Sequence, residues 1–100
     1  MPKGYIVAEI QITDRIGIKA YRRKVQATVA AYDGRFLVRA EDTAVVEGEE
    51  PGGAVIVLEF ESPARAMEWY NSPEYQAILP LRLRASTARV TCAAGTSQGL

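Results

Sequence analysis

Four segments of the chain alternate apolar and polar residues with a period of two, and this pattern constrains the fold more than any other feature. The segments cover residues 4–12, 35–40, 54–61 and 88–93. Such alternation is typical of β-strands. Between the first two segments, and again between the last two, apolar residues recur every three or four positions, which is typical of amphipathic helices. The predicted order of elements is therefore β-α-β-β-α-β.

This order predicts an α+β fold. Two interleaved right-handed βαβ crossovers give the ferredoxin-like arrangement, in which a four-stranded antiparallel sheet carries both helices on one face. The first and third strands are then central. A chain of 100 residues has room for one domain, which we place at residues 1–94, with a flexible tail at 95–100.

Local signals around the first helix set its expected ends. Asp14 is a candidate N-cap, and Gly34 is a candidate for the left-handed position after the last turn. We expect the strand that follows to continue over residues 43–47, after a bulge at residues 41–42.

The helical region after the third strand contains two Ser-Pro pairs. Ser62 and Ser72 are candidate N-caps, each followed by proline at the first helical position, and the cap is a better reading of Ser72 than a nucleophile. Pro80 is expected to kink or split the second piece. We expect Leu83 on the apolar stripe of that piece and the cluster of Arg82 and Arg84 at the surface.

The charge balance and the missing residue types exclude several classes of function. Lys and Arg total 12 and Asp and Glu total 12, so we expect no nucleic acid partner and no binding to an anionic membrane. No apolar run is long enough to span a bilayer, and no signal peptide is recognisable. The chain has no histidine and one cysteine, Cys92. We therefore expect a cytoplasmic protein without a disulfide, a metal site or another cofactor.

The strand alternation defines two faces of the predicted sheet. The face expected under the helices is almost wholly apolar and carries Ile6, Ala8, Ile10, Phe36, Val38, Ile56, Leu58, Phe60, Val90 and Cys92. The opposite face mixes apolar and charged residues and carries Tyr5, Val7, Glu9, Leu37, Arg39, Val55, Val57, Glu59, Arg89 and Thr91. Because this second face is too apolar to stay in water, we expect it to pack against a second copy in a homodimer.

The charges on the second face allow two interpretations. As cross-strand ion pairs, Arg39 would face Glu59 and Glu9 would face Arg89, and neither pair would need a ligand. Alternatively, Glu59 or Glu9 lines a cavity, has a raised pKa and moves protons, while an arginine holds an anionic group of a substrate.

Several strings also resemble a known family. They are GYIVAEIQITD, YDGRFLVRA, VIVLEFES and AMEWYNSPEYQAILPLR. The most specific parts are W-Y-x-S-x-E-Y-Q, from Trp69 to Gln76, and G-R-F-L-V-R, from Gly34 to Arg39. Over residues 4–93 the chain resembles the bacterial family called domain of unknown function 1330, which belongs to the dimeric α/β barrel superfamily. The resemblance implies a ferredoxin-like fold and a homodimer, and it brings no established activity.

Two hypotheses of function follow. In the first, the protein is an enzyme or a binding protein that handles a small anionic or carbonyl-bearing molecule without a cofactor. Glu59 would be its acid or base, Arg39 would orient the substrate, and further substrate contacts would come from Trp69, Tyr70, Tyr75, Tyr21 and Glu9. Trp69 and the tyrosines can equally be core residues whose polar tips find a partner. In the second hypothesis, the protein is a non-catalytic module for self-association or for docking to another protein.

Overall fold

The computed structural model describes residues 2–96. Its elements, in chain order, are β1 (Gly4–Ile12), α1 (Ile18–Ala31), β2 (Arg35–Ala40), β3 (Ala54–Phe60), α2 (Pro63–Tyr70), α3 (Pro73–Ala85) and β4 (Ser86–Ala94). The four strands form one antiparallel sheet in the order β2-β3-β1-β4. This confirms the ferredoxin-like topology with the first and third strands central. Of the tail expected at 95–100, residues 97–100 lie outside the described residues.

One face of the sheet is covered by the helices and forms the hydrophobic core. Ile6, Leu58 and Phe60 of the central strands are at most 3% exposed. They pack against buried residues of all three helices, namely Val29, Ala66, Trp69, Tyr75, Ile78 and Leu79. The opposite face, which we call the open face, is covered by no helix within residues 2–96. No helix within residues 2–96 is long and apolar enough to cross a membrane.

The ends of α1 differ in detail from the sequence expectation. The Asp14 carboxylate accepts hydrogen bonds from the amides of Ile16 and Gly17, before the helix begins, so it closes a turn and does not cap the helix. At the other end, Asp33 and not Gly34 adopts the left-handed conformation, with φ of 62°. The amides of Asp33 and Gly34 bond back to the carbonyls of Ala30 and Val29, as in a Schellman motif.

Gly34 is required for a different reason, which is space. A Cβ atom at this position would lie 2.4 Å from the ring of Phe60, one of the most deeply buried side chains. The chain therefore crosses the end of the core where only a glycine fits.

Both Ser-Pro pairs begin helices as predicted. The Ser62 hydroxyl accepts from the amide of Arg65, and the Ser72 hydroxyl accepts from the amide of Tyr75. Of the kink or split expected at Pro80, the split is wrong, because α3 runs without a break from Pro73 to Ala85.

The second half of α3 also presents a different face from the one predicted. Leu83 is 60% exposed, whereas Arg82 is 5% exposed. The prediction that placed Leu83 on the apolar stripe and Arg82 at the surface is therefore wrong.

β2 contains a bulge, after which each side chain points to the face of the sheet opposite to the one predicted. The cross-strand partners are Phe36 with Leu58, Val38 with Val57, and Arg39 with Ile56. Leu37 is therefore the additional residue, and the bulge predicted at residues 41–42 is wrong. Val38 now lies on the open face, and Arg39 lies on the face covered by helices. Residues 43–47, predicted as strand, form irregular structure instead.

Candidate functional site

A cavity of about 350 Å³ lies between the covered face of the sheet and helices α1 and α3. Its size is at the lower end of the range for small-molecule sites. Its walls are mostly apolar, and the apolar lining residues are Ile6, Ala8, Ile10, Ile12, Ile18, Val25, Phe36, Ala54, Ile56, Leu58 and Val90. The polar lining comes from a few side chains of α1, β2, α2 and α3.

Trp69 forms one end of the cavity and belongs to an aromatic cluster. Its ring centroid lies 4.2 Å from that of Tyr75 and 5.6 Å from that of Phe60. The indole Nε1 donates to the Thr28 hydroxyl at 3.0 Å, and that hydroxyl donates to the carbonyl of Val25. The indole is thus fully satisfied by the protein, so Trp69 is a core residue with its polar tip partnered and a wall of the cavity at once.

Three polar groups form a connected chain along the cavity. The hydroxyl oxygens of Tyr21 and Tyr75 lie 2.9 Å apart in a hydrogen bond, and the Arg82 Nε donates to the Tyr75 hydroxyl at 3.4 Å. Two phenols hold two hydroxyl hydrogens, and the bond between them uses one. Whichever tyrosine donates in that bond, one O–H group remains for another acceptor.

The surroundings keep these groups in fixed protonation states. Burial, and then the neighbouring Tyr75, raise the pKa of Tyr21. Burial works against the charge of Arg82, but the hydrogen bond to Tyr75 and the nearby hydroxyls outweigh it, and the pKa of Arg82 is raised. Tyr21 is therefore a neutral hydroxyl at physiological pH, able to donate a hydrogen bond but not to act as a base, and Arg82 is a cation.

The rim of the cavity is more polar than its interior. Arg22 and Glu41 form an exposed ion pair there. Arg39 also lines the cavity, with its guanidinium carbon 3.9 Å from the centroid of the Phe36 ring and a 3.4 Å hydrogen bond to Gln26. Among the described residues that line the cavity, Glu41 is the one with a carboxylate, and that carboxylate is paired with Arg22.

Glu59 lies on the open face, outside the cavity. One carboxylate oxygen accepts from the Tyr5 hydroxyl at 2.8 Å, and the other accepts from Nε of Arg35 at 2.8 Å and lies 2.8 Å from Nη2 of the same arginine in an ion pair. The hydrogen bonds from Tyr5 and then Arg35 lower the pKa of Glu59. The expectations that Glu59 lines a cavity with a raised pKa, and that it pairs with Arg39, are both wrong.

The remaining predicted site residues separate between the two faces. The cavity brings together Arg39, Trp69, Tyr75 and Tyr21. Glu9 faces Arg89 across β1 and β4 on the open face, as the alternation predicted, but no ion pair joins them within residues 2–96.

Tyr70, also predicted as a wall, is not part of the cavity lining. It packs instead against the rings of Trp69 and Tyr75, and its backbone carbonyl accepts a hydrogen bond from Nε2 of the Gln76 side chain. Its predicted contact with a substrate is not one that the cavity geometry provides.

Sequence reasoning missed Arg82, although a signal was present. The residues at positions 75, 78 and 79 define the buried stripe of α3, and position 82 continues it at spacings of seven, four and three. A charged residue at a core position indicates either a buried ion pair or a ligand. Among residues 2–96 no cluster of three or more Cys, Asp or Glu side chains is placed to hold a metal ion.

Comparison with known proteins places the chain by family and by fold. The family described as Domain of unknown function (DUF1330) matches residues 3–96. No curated protein matches the sequence.

Solved structures share the fold at low sequence identity. RPA0582, a protein of unknown function from Rhodopseudomonas palustris, is 15% identical with a TM-score of 0.77, over 96% of this chain and 84% of that chain. A dabb family protein with a ferredoxin-like fold from Mesorhizobium loti is 10% identical with a TM-score of 0.68, over 97% and 100%. SnoaB, a cofactor-independent oxygenase from Streptomyces nogalater, is 9% identical with a TM-score of 0.65, over the whole of both chains. At these identities the likeness establishes the fold alone.

Proposed function

The chain belongs to the DUF1330 family, whose description states no activity, and we propose that it binds a small organic molecule, anionic or carbonyl-bearing, in the cavity between sheet and helices. The observation that carries this proposal is the cavity itself, about 350 Å³ of mostly apolar space with Tyr21, Tyr75 and Arg82 as its connected polar groups. Apolar walls with a few convergent polar groups are typical of small-molecule sites.

The polar groups of the cavity suit chemistry in which negative charge develops on oxygen. Tyr21 and Tyr75 offer a neutral O–H donor, and Arg82 offers a positive charge, both held in place before a ligand arrives. Donors arranged in this way stabilise an enolate or another oxyanion. The two tyrosines would therefore polarise the ligand by hydrogen bonding, and Glu59 is no longer proposed as acid or base. Arg39 at the rim keeps its proposed part in orienting the ligand.

The fold neighbour SnoaB supports a reaction without a cofactor, because SnoaB is a cofactor-independent oxygenase. Its support is an analogy at the level of the fold. Binding and turnover would both take place in this cavity, so the same experiment tests the site for either function.

The open face supports a homodimer as the working form. Its central residues are Val7 and Val57, which pair across β1 and β3, and the bulge adds Leu37 and Val38, exposed by 45% and 40%. A continuous apolar patch of this kind is unfavourable in water. A second copy of the same face would cover it and place the two sheets against each other.

The experiment that tests the ligand proposal is a thermal-shift screen of small carboxylates, ketones and phenols. A ligand present at 100 times its Kd stabilises the folded state by about 2.7 kcal/mol. Val25→Phe should abolish the shift, since Val25 lines the cavity from α1 and a larger ring would fill it. Lys24→Phe, at the exposed neighbouring position, is the matched control and should leave the shift unchanged.

The second candidate function is self-association without a ligand, which the apolar open face favours. It predicts a stable dimer whose thermal stability no compound of the screen changes. Equal ligand shifts in wild type and Val25→Phe would also count against the cavity as the binding site.

A further inference from the structure

We propose that the ligand is an apolar carboxylic acid and that Arg82 binds its carboxylate. The inference rests on the proposed function, because it assigns the ligand class for the same cavity. It comes from one observation about charge, which is that the buried Arg82 has no carboxylate of residues 2–96 within 4 Å of its guanidinium.

Arg82 is buried and has no counter-charge among the described residues. It is 5% exposed. Within residues 2–96 no carboxylate lies within 4 Å of its guanidinium, whereas Arg22, Arg35 and Arg65 each form an ion pair with an acid. Those three arginines are more exposed than Arg82, and the other arginines without an ion pair are exposed as well. Arg82 is thus the buried arginine, for which a counter-charge matters most, and it has none among these residues.

A buried arginine cannot avoid this problem by losing its proton. Its pKa lies far above physiological pH even after burial, and here the tyrosine hydroxyls raise it further. Buried charges in proteins are paired or coordinated, because an isolated charge in an apolar interior is strongly unfavourable. The hydroxyl dipole of Tyr75 compensates the charge in part but does not neutralise it.

The terminal nitrogens of Arg82 are free to meet a ligand. Among residues 2–96, its guanidinium donates from Nε to the Tyr75 hydroxyl at 3.4 Å, and it also interacts with the Tyr21 hydroxyl. No fully enclosed side-chain nitrogen or oxygen in this part of the chain lacks a partner. The terminal nitrogens therefore retain some accessible surface, and Arg82 lines the cavity.

A carboxylate fits this site better than a neutral carbonyl. Its two oxygens match the fork of the guanidinium, and such charge-assisted pairs are about twice as strong as neutral hydrogen bonds. The spare O–H of the Tyr21–Tyr75 pair can donate to one of the same oxygens. The rest of the ligand then meets Ile, Val, Leu and Phe side chains, which favour an aromatic ring or a branched alkyl chain.

The test compares matched acids and amides on wild-type and variant proteins by isothermal titration calorimetry. The probes are benzoate, 3-phenylpropanoate and 4-methylpentanoate, each with its primary amide. We expect the best acid to bind at least 10-fold more tightly than its amide, because hydrogen bonds to a charged group contribute about 1.5–3 kcal/mol. Arg82→Met should remove this preference, so that binding of the acid weakens by the same factor of at least about 10 while binding of the amide changes little.

Arg84→Met is the matched control, because Arg84 is exposed on the same helix, and it should retain wild-type affinity for the acid. Without a ligand, Arg82→Met should melt at or above the wild-type temperature, since replacing an uncompensated buried charge by an apolar side chain of similar length is often stabilising. A large fall in its melting temperature without ligand would indicate that Arg82 is a structural residue and would contradict the proposal.

The remaining outcomes separate this inference from the proposed function. If an amide or ketone binds as tightly as every acid, or if Arg82→Met binds acids as wild type does, the carboxylate assignment is wrong while the cavity remains a ligand site. If none of the six probes binds wild type, the assignment to apolar carboxylic acids is wrong. If the wider thermal-shift screen also finds no ligand, the proposed function fails with it.

Discussion

The two sides of the sheet have similar hydrogen-bonded groups of tyrosine and arginine, and they differ in whether a carboxylate is present. On the open face, Tyr5 and Arg35 converge on the carboxylate of Glu59. In the cavity, Arg82 donates directly to Tyr75, Tyr21 is the third partner, and no carboxylate of residues 2–96 lies within 4 Å of the Arg82 guanidinium. The first set contains its own anion, and the second lacks one.

This difference teaches how to separate structural charges from functional ones. The carboxylate of Glu59 has a hydrogen bond from Tyr5 and one from Arg35, with which it also forms an ion pair. It therefore needs nothing from outside, and its pKa is lowered. Arg82 is more deeply buried and less well compensated. A charge that the fold leaves incomplete is a better candidate for ligand binding than a charge that the fold completes.

The largest effect on stability should come from Trp69, the residue of α2 that packs over the covered face. Trp69→Ala removes a side chain that is 2% exposed and should lower the free energy of unfolding by about 3–5 kcal/mol. Met67→Ala, on the same helix but 40% exposed, should change it by less than about 1 kcal/mol. Urea denaturation of both variants measures the contrast, and similar losses would mean that the covered face is not the core of the protein.

A charge at the centre of the open face should separate the proposed homodimer. Val57→Arg would place an arginine of each copy opposite the other sheet, and an unpaired charge in an interface weakens binding by about 2–5 kcal/mol. Light scattering after size exclusion should show a monomer with an unchanged circular dichroism spectrum. Met67→Arg, on the outside of α2, is the control and should remain dimeric. A wild-type chain that is monomeric at high concentration would contradict the dimer.

The two tyrosines of the cavity should differ in their contributions to stability. Tyr75→Phe leaves both Arg82 and Tyr21 without their hydroxyl partner and should cost about 1–3 kcal/mol. Tyr21→Phe leaves the bond from Arg82 to Tyr75 intact and should cost less. Both variants should weaken ligand binding. Equal losses of stability would mean that Tyr75 is not the centre of the hydrogen-bonded chain.

Glu59 should contribute to stability in a way that depends on pH, and not to ligand binding. Because its folded pKa is lowered from the usual 4.5, its contribution is complete above that value and is lost as the pH falls through the folded pKa. Glu59→Gln should therefore be less stable than wild type at pH 7, and the difference should shrink as the pH falls below about 4.5. Loss of ligand binding in this variant at pH 7 would restore the catalytic role predicted from the sequence.

The smallest effect is a coupling that should be absent. A double-mutant cycle measures the interaction energy of two residues from the stabilities of the single and double variants. The cycle for Arg35 and Glu59 should give a measurable coupling, whereas the cycle for Arg39 and Glu59 should give none within about 0.3–0.5 kcal/mol. Coupling between Arg39 and Glu59 would mean that the bulge at Leu37 is absent in solution.

Most of the fold could be predicted from the sequence, because it depends on local patterns. The strands β1 and β3, the sheet order and the caps at Ser62 and Ser72 follow from alternation, connection rules and Ser-Pro pairs. The site could be predicted only in part. The sequence predicts Trp69, Tyr21 and Tyr75 as site residues, but it predicts Arg82 at the surface and Leu83 on the apolar stripe.

The bulge at Leu37 shows where sequence reasoning ends. Strict alternation from Arg35 to Ala40 is compatible with a regular strand, and an additional residue changes no local preference. It does move every later side chain of the strand to the other face of the sheet, since side chains alternate with a period of two. Arg39 therefore moved from the face of Glu59 to the rim of the cavity, and no pattern within β2 predicts that.

The sequence by itself determined the order of the main strands and helices, the family and the mixture of apolar and charged residues on one sheet face, since each of these depends on periodicities and motifs within short segments. The tertiary structure alone decided which charges meet. That decision depends on register and on the packing of α1 and α3 over the sheet, which bring Arg82 beside Tyr75 and Tyr21 and leave the carboxylate of Glu59 on the other side.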